Sequence, residues 1–123
     1  MDRKELQSAV FPDCPIRNIL SRFTDKWTLL VLYTLEQKGT QRFNDLHRGI
    51  PDISQKMLTI TLKALTDDGF LTRTLYPAVP PKVEYRLTDR AKSVMPYLDS
   101  LLQWSIDNFD AIMADRKANN ESK

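Results

Sequence analysis

The feature that most limits the folds open to this chain is a pair of short helical patterns with a four-residue break between them, FNDLHRGIPDISQKMLTITLKA at residues 43–64. The first helix covers roughly Phe43 to Gly49. Ile50, Pro51, Asp52 and Ile53 form the break, because proline disfavours helical backbone in the residue before it. Ser54 is placed to cap the second helix, its hydroxyl accepting a hydrogen bond from a free amide of the first turn. Leu58, Leu62 and Leu65 then recur at i, i+4 and i+7, the spacing of a buried face. Gln55, Lys56, Thr59, Ile60 and Lys63 fall on the other side. Two helices joined in this way make a helix-turn-helix.

The flanking sequence reads as support for that pair. Residues 1–13 show no clear pattern and are taken as a flexible arm. Pro15 suits the first position of a helix running to about Phe23, since its missing N–H would be unpaired there anyway. Asp25 caps KWTLLVLYTLEQ, which is apolar on nearly every side and so predicts a helix central to the core or covered by a second chain. Gly39 ends it, and Thr40 to Arg42 form a candidate short strand. After the second helix of the pair, Asp67-Asp68-Gly69 is a helix stop. Phe70 to Tyr76 and Val83 to Leu87 alternate apolar and polar side chains, as half-buried strands do. Residues 77–82, PAVPPK, join them through a stiff projecting tip. A hairpin directly after such a helix is a wing.

Thr88 caps the last helix, with Asp89 well placed against its positive end. Its apolar stripe, from Val94 through Leu98, Leu101, Leu102 and Phe109 to Met113, ends at about residue 114. Pro96 lies inside and is expected to kink or split the helix. Residues 115–123 are polar and read as a disordered tail. The outcome is one domain over residues 14–114, mainly α with a small antiparallel β-sheet.

Composition removes several other classes. No apolar run reaches the roughly 18 residues of a membrane span, and the N-terminus has no signal-peptide core. One cysteine excludes an intramolecular disulfide and points to the cytoplasm. One cysteine with one histidine cannot furnish a standard zinc site. Three glycines form no phosphate-cradling loop, and no nucleophile–base or paired acid–base motif is present. No cofactor and no enzymatic activity are therefore expected. Charge is uneven: residues 38–92 hold ten basic and six acidic side chains, while residues 93–123 hold three basic and five acidic. The basic excess falls on the helix-turn-helix segment, where a phosphate-facing surface requires it, although a solvated face can show the same pattern.

Double-stranded DNA is thus the expected partner. Gln55 can bond an adenine edge, Lys56 a guanine or a phosphate, and Ser54 and Thr59 either phosphate or base. Ile60 is open to two readings, an exposed contact for a thymine methyl or a second-row core residue. Lys63, further along the helix, suits a phosphate. Arg48 is a candidate backbone clamp, and Lys82 at the wing tip is expected on phosphate or in the minor groove. Arg73 and Arg86 on the strands are either phosphate contacts or members of a solvated face. His47 is not expected to be a metal ligand or proton switch, and Trp27 and Trp104 are expected to be packing residues. A protein-binding winged helix without specific DNA binding is the alternative.

Three stretches carry a family resemblance: CPIRNILSRFTDKWTLLVLYTL at 14–35, RFNDLHRGIPDISQKMLTITLKALTDDGFLTR at 42–73, and YPAVPPKVEYRLTDRAKSVMPYLDSLLQW at 76–104. The chain closely resembles the HxlR-type winged helix-turn-helix regulators, relatives of the MarR regulators. The proline-rich wing followed by VEYRLT is the most specific part. Ala91 departs from the pattern, where glycine is frequent. The resemblance implies a cytoplasmic bacterial dimer that binds operator DNA, usually as a repressor and sometimes as an activator. The apolar helix of residues 26–36 and the C-terminal helix exceed what one small domain can bury, so these, with the first, N-terminal helix, are expected to form a two-fold homodimer interface, and the operator is expected to be pseudo-palindromic. The resemblance also implies a response of some members to small-molecule electrophiles or oxidants through a cysteine in a CP motif. Cys14-Pro15 occupies that position here. Cys14 is equally readable as a small buried hydrophobe.

Overall fold

The computed structural model of the protein describes residues 2–5 and 15–121. The elements run α1 (Pro15–Phe23), α2 (Lys26–Lys38), β1 (Gln41–Arg42), α3 (Phe43–Gly49), α4 (Gln55–Asp67), β2 (Leu71–Tyr76), β3 (Lys82–Leu87) and α5 (Asp89–Glu121). The chain divides into two compact units, Met1–Lys92 and Ser93–Lys123.

In the first unit, α2 is the central helix. Asp25 caps it, its carboxylate accepting from the Trp27 N–H at 2.9 Å. Val31, Leu32 and Leu35 are buried, whereas Leu30 and Tyr33 on the other side are exposed. The buried core gathers these residues with Leu46 of α3, Leu58, Leu62 and Leu65 of α4, and Leu71 and Tyr85 of the sheet. Each fully buried leucine contributes about 1.5–3 kcal/mol from apolar burial. The break between α3 and α4 is also anchored inside, because Ile50 and Ile53 are both buried. Gly39 ends α2 at φ +76°, a backbone region that residues with a Cβ rarely adopt.

The sheet has strand order β1-β3-β2, all antiparallel. Leu71 pairs with Leu87, Arg73 with Tyr85 and Tyr76 with Lys82. β1 joins through Gln41 opposite Tyr85 and Arg42 opposite Glu84. Side chains alternate between faces along a strand, so Leu71, Arg73 and Tyr85 share one face. Thr72, Glu84 and Arg86 occupy the other.

α4 ends in a Schellman motif. The Phe70 N–H donates to the Leu65 carbonyl at 2.9 Å and the Gly69 N–H to the Thr66 carbonyl at 3.1 Å. Gly69 sits at φ +79° to allow this. Thr88 locks the same corner: its hydroxyl donates to the Gly69 carbonyl at 2.6 Å and accepts the Ala91 N–H at 3.3 Å. Arg22 of α1 reaches Asp68 at 2.7 Å, and Phe23 meets Phe70 edge-on at 5.3 Å between ring centroids.

The second unit contains the greater part of α5. Two expectations change here. Pro96 does not split the helix, which is continuous over Asp89–Glu121. An interior proline removes one N–H bond and crowds the carbonyl four residues back, a local cost that the remaining turns of a 33-residue helix outweigh. The helix also continues past residue 114, because no glycine or second proline follows and Ala118, Arg116, Lys117 and Glu121 favour helix. Trp104 is 57% exposed within the chain, as are Leu101, Ile106 and Phe109 by similar amounts. It is not a packing residue of the single chain.

Candidate nucleic-acid interface

The candidate surface is built on α4. Ser54 caps it as expected, its hydroxyl accepting from the Met57 N–H at 3.0 Å. With Leu58, Thr61, Leu62 and Leu65 turned inward, the helical period leaves Lys56, Ile60, Lys63 and Asp67 in line along the outer face. Ser54, Gln55, Lys56, Thr59, Ile60 and Lys63 are all exposed. Ile60 is 51% exposed, which removes its reading as a second-row core residue. An apolar side chain held outward between two lysines is a feature this helix does not need for packing.

The outer residues differ in how their polar groups are engaged. Lys56 has no hydrogen-bond or ion-pair partner among the described residues. Thr59 donates its hydroxyl to the Gln55 carbonyl at 2.9 Å, leaving only its lone pairs to a ligand. Lys63 is paired with Asp67 at 2.9 Å. Arg48, at the end of α3, is paired with Asp45.

Arg73 and Lys63 come together across a groove of about 380 Å³ between α4 and the sheet, with Thr59, Phe43 and Tyr85 also in its wall. Arg73 is exposed and makes no ion pair among the described residues. Tyr85 is nearly buried, yet no buried side-chain oxygen or nitrogen lacks a partner among the described residues. Its hydroxyl, for which no bond is formed there, is therefore not sealed in the interior. Arg86 stands on the opposite face of the hairpin.

Lys82 is not at the wing tip. Its pairing with Tyr76 makes it the first residue of β3, and residues 77–81 form the tip. Lys82 is paired with Glu84 at 2.8 Å and lies 5.4 Å from the centre of the Tyr76 ring. Cys14 lies outside the described residues.

His47 has a role that sequence reasoning missed. Its Nε2 lies 3.0 Å from the Ile53 carbonyl oxygen. A carbonyl only accepts, so Nε2 carries the proton, and the ring ties α3 to the last residue of the turn. A bond across six residues of irregular backbone leaves no periodic signal. Asp67 was also missed, although its position four residues after Lys63 was readable as a helical ion pair.

A capped helix with an outward reading face, a supporting helix and a hairpin set directly behind it define a winged helix-turn-helix DNA-binding domain. The chain belongs to the HxlR-like helix-turn-helix family, whose profile matches residues 22–113. It is 44% identical over 103 residues to the uncharacterised HTH-type transcriptional regulator YtfH of Escherichia coli K12, covering 84% of this chain and 81% of that protein. The solved structure of YtfH from Salmonella typhimurium matches with a TM-score of 0.78 at 42% identity, over 85% of this chain and 93% of that one. The redox regulator HypR in its reduced form matches with a TM-score of 0.74 at 35% identity, over 81% and 98% respectively. The protein is thus a helix-turn-helix transcriptional regulator, in a family of regulators and not of enzymes. No helix among the described residues is long and apolar enough to cross a membrane.

Proposed function

We propose that the protein represses transcription by binding a pseudo-palindromic operator as a homodimer in the bacterial cytoplasm. The observation that carries this reading is the outer face of α4, where Ile60 and the unpaired Lys56 are exposed beside Gln55 and Thr59. Gln55, Lys56, Thr59 and Ile60 read base edges from the N-terminal half of the helix. Ser54, Lys63, Arg48, Arg73 and Lys82 contact phosphate and set register. Lys82 acts from the root of the wing.

Dimerisation is supported by apolar surface that one chain leaves in water: Ile16, Ile19 and Leu20 on α1, and Leu101, Trp104 and Phe109 on α5. A two-fold dimer would set its recognition helices about 34 Å apart, one turn of B-DNA. A response to oxidants or electrophiles through Cys14 belongs to the same reading. Its support is the CP motif together with the likeness to HypR.

The test is a binding selection from randomised DNA with reduced and with diamide-treated protein. An enriched inverted repeat is expected, and its loss on oxidation would assign Cys14 as the sensor. A repeat kept on oxidation removes that role and leaves the operator reading standing. Absence of any enriched sequence would support a protein-interaction module instead.

A further inference from the structure

The outer face of α4 ends on a charge that its helix does not want. The last turn holds no basic residue, while Asp67 and Asp68 place two carboxylates against the negative end of the helix dipole. Asp68 is answered from outside the helix by Arg22 at 2.7 Å. Among the described residues Asp67 is answered by Lys63 alone, and both of these side chains are well exposed, at 60% and 75%. Asp67 also lies in line with Lys56, Ile60 and Lys63. It borders the groove that Arg73, Lys63 and Tyr85 also line. The cations on that wall, Arg73 and Lys63, suit an anion, the Thr59 and Thr66 hydroxyls donate to carbonyls of their own helix, and Asp67 is itself an anion.

We propose that Asp67 is an intramolecular rival of DNA phosphate, holding Lys63 in an ion pair and limiting the pull of the groove between α4 and the wing on the DNA backbone. This rests on the DNA-binding reading of α4. A backbone phosphate entering the groove meets Arg73 as a donor. It takes Lys63 only by leaving the Asp67 carboxylate unpaired beside it. The Lys63–Asp67 pair thus adds nothing net to counterion release, and among the cations assigned to phosphate, where Arg48 and Lys82 are ion-paired as well, the sequence-independent share of affinity falls mainly on Arg73. Asp67 weakens every duplex that places a phosphate there, so discrimination rests on the base-reading half of the helix.

The test measures binding of a mixed-sequence duplex, and of the operator recovered by selection, as a function of salt. Asp67→Asn is expected to steepen the slope of log K against log salt by roughly 0.9, an affinity gain of about eightfold at about 0.1 M monovalent salt. Lys63→Ala is expected to flatten the slope by a similar amount. The Lys63→Ala/Asp67→Asn double variant is expected to bind like the wild type. Asp67→Ser should repeat the effect of Asp67→Asn, and circular dichroism confirms that each variant is folded. The proposal is overturned if Asp67→Asn leaves affinity and slope unchanged, or if the double variant binds as weakly as Lys63→Ala. If Lys56→Ala weakens binding in that same experiment, the DNA-binding reading survives. If the wild type binds neither duplex, that reading falls and this one with it.

Discussion

Replacing Thr88 by valine tests how the recognition helix is fixed to the rest of the domain. Valine has the shape of threonine without its hydroxyl, so packing is kept and two hydrogen bonds go. The Gly69 carbonyl loses its donor at 2.6 Å, and the Ala91 N–H loses its cap at 3.3 Å. Loss of a threonine cap costs about 1 kcal/mol. The half-buried carbonyl adds about 0.5–1.5 kcal/mol. The expected loss is about 1.5–2.5 kcal/mol. For a domain of this size each kcal/mol shifts Tm by about 3–5 °C, so Thr88→Val should melt about 5–12 °C lower. Thr88→Ser keeps both bonds and loses one methyl group, at a cost below about 1 kcal/mol. Calorimetry at one fixed protein concentration is the assay, because self-association makes Tm depend on concentration. A Thr88→Val protein melting within about 2 °C of the wild type would refute the reasoning. So would a Thr88→Ser protein that falls as far as Thr88→Val.

Three further outcomes are expected. Ile60→Ala should change unfolding free energy by less than about 0.5 kcal/mol in urea titrations, because the side chain is half in water. It should also reduce discrimination at one operator position by about 1 kcal/mol in competition binding. Gly39→Ala should cost about 1–3 kcal/mol in the same titrations. An added Cβ there meets nothing within 4 Å, so the whole cost is backbone strain at φ +76°, ψ −153°. His47→Ala should lower stability by about 1 kcal/mol through its lost bond to the Ile53 carbonyl. Amide hydrogen exchange at residues 50–54 should accelerate with it.

The recognition helix was legible because its signals are local. Ser54 caps it, Leu58, Leu62 and Leu65 repeat at helical spacing, and Gly69 ends it. The hairpin was legible from alternation on both sides of a proline-rich link. Reading failed where the deciding contact was not local or was absent. Lys82 looked like a tip residue until the pairing with Tyr76 set the register. His47 looked idle because its partner is a backbone carbonyl in the turn. The last helix looked shorter than it is because the apolar stripe stops before the helix does. Its final turns are held by backbone bonds and by residues that tolerate helix in water. Of the candidate contacts, those on α4 followed from periodicity alone, whereas the meeting of Lys63 with Arg73 across the groove needed the fold.

Only Asp68, Gly69 and Phe70 separate the recognition helix from the first wing strand, and each is tied down by a bond or a packed ring. Helix and hairpin therefore behave as the two jaws of a fixed caliper. One jaw cannot shift without carrying the other. On the proposed mode of binding, these three residues set the spacing between the helix and wing contacts, and a base pair inserted between the positions touched by the two jaws would meet no hinge to absorb it.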